Sequence, residues 1–113
     1  MARDLRAAIG ATTLAGVLIL AQSARPASAA DFDCAGFLRM HGMLRRASAA
    51  CGFTAYNPTI VDRARTCFDA IGGSRGAEEM YSGAAEFERW QAVRHRAALC
   101  QTLAAKFPMV VRP

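Results

Sequence analysis

The residues best equipped for chemistry are four cysteines, Cys34, Cys51, Cys67 and Cys100, and two histidines, His41 and His95. A thiol can serve as nucleophile, metal ligand, redox partner or half of a disulfide, and spacing selects among these. No C-x-x-C occurs, so the pattern of thioredoxin-type redox centres and zinc ribbons is missing. C-x-x-C-H, which would attach a c-type haem, is missing too. An even count of widely spaced cysteines reads instead as two disulfides, which outweighs a catalytic thiol paired with His41 or His95.

Met40-His41-Gly42-Met43 offers the thioether and imidazole ligands that suit copper(I). Met40 and Met43 are one helical turn apart on an apolar stripe, however, and methionines so placed more often fill a core. His95, within Arg94-His95-Arg96, reads as a solvated residue. Glu78 and Glu79 are adjacent, and Glu86 and Glu88 point about 200° apart on a helix, so neither pair converges as an acid and a base. Ser48, Ser74 and Ser82 lack a G-x-S-x-G setting. Gly72-Gly73-Ser74-Arg75-Gly76 precedes a helix, as phosphate-binding loops do. It lacks the P-loop spacing and its lysine, and reads as a flexible link. Asn57-Pro58-Thr59 is barred from glycosylation by its proline. No catalytic, cofactor-binding or metal-binding residue is assigned, and the chain reads as a non-enzyme without a cofactor.

Three helices must position these residues. The first is expected over about Phe32 to Ala50, capped by Asp31 or Asp33, with Cys34, Phe37, Met40, Leu44, Ala47 and Cys51 on one stripe. Gly36 and Gly42 weaken it, and tight packing against a neighbour would account for them. Asn57-Pro58 opens the second helix as N-cap and first residue. Ile60, Val61, Ala64, Cys67, Phe68 and Ile71 form its apolar face, Arg65 can pair with Asp69, and Gly72-Gly73 ends it. The third begins near Arg75, with Ser74 as cap and Glu78-Glu79 in its first turn. Its stripe runs from Met80 through Phe87 and Trp90, at the stripe's edge, to Val93, Ala97, Cys100, Leu103 and Phe107. Ser82-Gly83 would bend it or split off a short leading helix, and Pro108 ends it.

Every cysteine falls on or beside an apolar stripe, so covalent and hydrophobic signals agree. With no strand alternation of any length, the expected fold is all-α: a bundle of three helices, or four if the third is split, cross-linked by two disulfides. Alternating up and down, the helices bring Cys34 near Cys67 at one end and Cys51 near Cys100 at the other. Cys34–Cys67 with Cys51–Cys100 is therefore favoured, and Cys34–Cys100 with Cys51–Cys67 is the next alternative.

The first thirty residues differ from the rest. Arg3 and Arg6 precede an uncharged stretch, Ala7 to Ala24, centred on Leu14-Ala-Gly-Val-Leu-Ile-Leu20, and Ala27-Ser28-Ala29 follows. Positive start, apolar middle and A-x-A end, in that order, read as a cleaved signal peptide over residues 1–29. An uncleaved anchor fits less well, because the stretch is rich in Ala, Gly and Thr. Residues 30–107 are then the helical domain and 108–113 an extended tail. Removing Arg3, Arg6, Arg25 and Asp4 lowers the net charge from +5 to +3. That charge is too small and too scattered to argue nucleic-acid binding. No stable membrane insertion is expected after cleavage, and the compartment is the periplasm or the medium, which also suits disulfides.

Ala50-Cys51-Gly52-Phe53, Ala64-Arg65-x-Cys67, and Phe87 followed by Cys100 and Phe107-Pro108 resemble small secreted four-cysteine helical proteins of GC-rich proteobacteria. The resemblance implies the fold and the compartment and brings no activity. With catalysis unsupported, the leading reading is a non-enzymatic protein that binds a protein partner, with the apolar tail Met109-Val110-Val111 as a contact. The alternatives are a periplasmic stress chaperone of the small acid-stress type and a copper or other metal carrier.

Overall fold

The computed structural model describes residues 32–113, and the expected signal peptide lies outside them. Helix α1 (Cys34–Cys51) starts where the Asp33 carboxylate accepts the Gly36 N–H at 2.9 Å. It stops at Gly52, whose φ of 69° is the left-handed turn glycine adopts without strain. A two-residue strand β1 (Ala55–Tyr56) follows. Asn57 then caps α2 (Pro58–Ile71), accepting the Thr59 N–H at 2.9 Å, with Pro58 in the first turn. The chain continues through α3 (Gly73–Val93), α4 (Arg96–Lys106) and β2 (Val111–Arg112). Two disulfides, Cys34–Cys67 and Cys51–Cys100, close the framework in the favoured pairing. Among the described residues no helix is long and apolar enough to cross a membrane.

Helix α1 is the central element, with its most extensive packing against α3 and a second face against α2. The approach to α3 depends on two glycines. A Cβ on Gly42 would strike the Met80 backbone, and one on Gly83 would strike the Arg39 carbonyl. Close packing thus explains Gly42 as expected, whereas Gly36 makes room for the capping Asp33 carboxylate. Because α1 is covered on two sides, its buried set (Leu38, His41, Gly42, Met43, Leu44 and Ala47) is broader than a single stripe. On α2, all six residues of the expected apolar face are buried or half-buried.

The third helix departs from expectation. It runs unbroken through Ser82-Gly83, because Gly83 lies against α1, and breaks instead at Arg94 and His95, both extended. The turn re-aims the chain so that Leu99 and Leu103 enter the core and Cys100 reaches Cys51. Helix α3 begins at Gly73 with no side-chain cap, so Ser74 lies inside the first turn and Glu78-Glu79 beyond it. Glu79 accepts from Arg39 at 3.1 Å and Arg75 at 3.3 Å. Arg65 pairs with Asp62 at 3.2 Å rather than with Asp69, one turn earlier on the same helix.

Residues 108–113 are not a free tail. β2 pairs antiparallel with β1, Ala55 opposite Arg112 and Tyr56 opposite Val111. Asn57 Nδ2 donates to the Met109 carbonyl and Thr54 Oγ1 to that of Pro113, each at 2.8 Å. Val110 and Val111 are core residues at 8 % and 1 % exposure. They join Met43, Leu44, Ala47, Phe87, Leu99 and Leu103 in the larger of two apolar clusters, against which Cys51 packs. The smaller cluster is Leu38, Ala64 and Cys67, flanked by Cys34 and Phe68. Each cluster has a disulfide packed in or against it.

Candidate functional site

The four cysteines are consumed by structure. Cys34 opens α1 and meets Cys67 of α2 with Cα atoms 5.1 Å apart; Cys51 closes α1 and meets Cys100 of α4 at 5.7 Å. No free thiol is left for nucleophilic or metal chemistry.

The methionine and histidine run on α1 is turned inward. Met43 is in the larger cluster and Met40 packs against it. His41 is 6 % exposed, and its Nδ1 lies 2.7 Å from the Tyr56 hydroxyl. The two rings meet edge to face with centroids 5.5 Å apart, and the Arg45 guanidinium sits 5.1 Å from the Tyr56 centroid. Among the described residues no three His, Cys, Asp or Glu side chains gather as a metal site. His95 is exposed, as expected, at the corner between α3 and α4.

The electrostatics of the His41 and Tyr56 pair favour neutral groups. Burial, reinforced by the Arg45 charge, lowers the His41 pKa. Burial raises that of Tyr56 despite the opposing pull of Arg45. A phenol that keeps its proton beside a neutral imidazole makes a hydrogen bond, with Nδ1 assigned as acceptor from its partner. The contact ties β1 to α1. Nearby, Ser48 Oγ is enclosed without a hydrogen-bond partner. Periodicity held the clue to this second edge: Leu38, His41, Arg45 and Ser48 recur at steps of three and four, beside the stripe of obvious apolar residues, and all but Arg45 are buried or half-buried.

Helix α4 carries two concave surfaces on opposite flanks. One is an open apolar groove of about 540 Å³ along Ala104 and Ala105, walled by the Cys51–Cys100 disulfide, Phe53 and Pro108, with Gln101 and Arg112 on its rim. The other is a smaller recess of about 200 Å³ between α4 and the end of α3, lined by Trp90, Arg94, Leu99, Leu103, Lys106 and Phe107, with Thr102 at its edge. Between the helices, residues 92–98 are all exposed. Neither surface follows from the sequence, because both depend on the turn at Arg94 and His95. No protein-family profile, curated protein or solved structure matches the chain.

Proposed function

We propose that this chain is a non-enzymatic binding protein, exported to the periplasm or the medium, whose partner is another exported protein. The docking segment is short and apolar with an acidic flank. The groove beside α4 carries the reading. Its volume lies within the ~300–1,000 Å³ of sites that bury a ligand. Being open-sided, it suits a stretch of polypeptide better than an enclosed small molecule. Its walls are a disulfide, a proline and packed aromatic and helical residues, so little ordering accompanies binding. Arg112 on the rim pairs with no carboxylate among the described residues and supplies the complement to an acidic flank.

Two disulfides support an exported protein. Kinship with the small secreted four-cysteine proteins of proteobacteria belongs to the same proposal. Of Met109-Val110-Val111, Met109 alone is left for contact, at 78 % exposure, because Val110 and Val111 are buried.

The neutral apolar dye N-phenyl-1-naphthylamine tests the groove. Wild-type protein should take it up saturably. Ala105→Glu, an exposed position, should weaken uptake roughly tenfold without loss of helicity, since an apolar dye seated there would strip water from the carboxylate. Equal uptake by the variant, or none by the wild type, would contradict the groove. Export is tested by the mass of protein recovered outside the cytoplasm, which should begin at Ala30; full-length protein confined to the cytoplasm would refute it.

A further inference from the structure

The recess between the end of α3 and α4 holds a combination that nothing in the fold requires. Trp90 is half-buried: it packs on the larger apolar cluster while part of its ring faces the recess. Phe107 and Leu103 complete an apolar floor. Arg94 and Lys106 also line it. No carboxylate lines the recess, and neither cation forms an ion pair among the described residues.

Lys106 in the last turn of α4 also favours the negative end of that helix. That effect accounts for a cation at a helix end. Arg94, the C-cap of α3, stands at a helix end in the same way. Helix ends do not account for both cations lining one recess with an aromatic floor, and that set complements a negative group carried on a flat apolar body. The anion would lie between guanidinium and ammonium, and the body would cover Trp90 and Phe107. At about 200 Å³ the recess is smaller than the ~300–1,000 Å³ of drug-sized sites, so the occupant has the size of a single substituted ring.

We infer that this recess is a binding site for a small aromatic anion, a carboxylate or sulfonate on one ring, separate from the groove on the opposite flank of α4. The inference does not depend on the groove, whose probe is neutral.

Trp90 is the sole tryptophan of the chain, so indole fluorescence reports this recess alone. The probe is 4-nitrobenzenesulfonate, an aryl anion whose nitro group quenches indole. Titrated into the intact, disulfide-bonded protein, it should quench saturably. Inorganic phosphate should neither bind nor compete at equal concentration, because it lacks the ring. The double variant Arg94→Gln/Lys106→Gln alters only exposed side chains and should bind roughly tenfold more weakly. Arg65→Gln/Arg75→Gln removes the same charge elsewhere and should bind like the wild type. Linear quenching like that of free tryptophan would overturn the inference, as would equal weakening in both variants or effective competition by phosphate. Phosphatidylglycerol vesicles form a last arm. Sedimentation with them while the soluble aryl anion is ignored would make the corner a membrane-surface contact and defeat the proposal.

Discussion

His41 shows how one buried polar side chain sets the behaviour of its neighbourhood. Its Nδ1 and the Tyr56 hydroxyl satisfy each other at 2.7 Å in a half-buried setting where water is a poor substitute. Tyr56→Phe should cost about 1–3 kcal/mol, the penalty of leaving a buried imidazole nitrogen without its partner. Urea denaturation at pH 8 measures this, and an unchanged midpoint would mean that the contact is idle. The lowered pKa also fixes a sign. Above the ordinary value of 6.5, both folded and unfolded chains carry a neutral His41, and stability is at its plateau. As pH falls below 6.5 the unfolded chain binds the proton first, so stability drops until the folded-state pKa is passed. Arg45 and Tyr56 face the ring, and His41→Gln should flatten the decline between pH 7 and pH 5. A decline of equal size in the variant would show that His41 is not its source.

Among the elements, the caps of α1 and α2 and the apolar face of α2 were legible because they depend on neighbours in sequence. Asp33, Asn57-Pro58 and Gly72 act within one turn of where they stand, and Ile60 to Ile71 pack on a single side. The break at Arg94 and His95 was illegible, since neither glycine nor proline marks it and its cause is the distant demand that Cys100 meet Cys51. Val110 and Val111 were likewise hidden: a pair of residues after a proline has no readable period, and burial comes from pairing with a strand more than fifty positions away. The candidate surfaces on α4 inherit that opacity. The glycines were half legible, as a promise of tight packing without a named partner. Gly83→Ala forces α1 and α3 apart and should destabilise by about 1–3 kcal/mol, although alanine favours an isolated helix by about 1 kcal/mol. A raised unfolding midpoint would show that the helices can separate freely. Val111→Ala should cost about 2 kcal/mol by emptying a core position, and deleting residues 110–113 should abolish cooperative unfolding. A truncated protein of unchanged stability would make the C-terminal strand dispensable.

At the scale of the whole molecule, two small apolar clusters share one central helix, and each has its own covalent bond. A chain of this size buries too little surface for comfortable stability by packing alone. Cross-links spanning 33 and 49 residues restrict the unfolded chain by about 4 kcal/mol each in the loop-entropy account. Together they rival the ~5–15 kcal/mol that separates a typical folded domain from its unfolded state. The two bonds differ in access. Cys67 is completely buried, whereas Cys51 and Cys100 are both half-buried along the open groove. Mild reduction followed by alkylation should therefore label Cys51 and Cys100 first, and earlier labelling of Cys34 and Cys67 would place the weak point in the smaller cluster.

The dependence of the folded helices on oxidation is tested most directly by urea denaturation of residues 30–113, followed by circular dichroism, in oxidised and fully reduced forms side by side. The oxidised protein should unfold in one cooperative transition, and the reduced protein should have lost that transition or begin to unfold without denaturant. Four titratable thiols in a protein that keeps the oxidised midpoint would contradict the account.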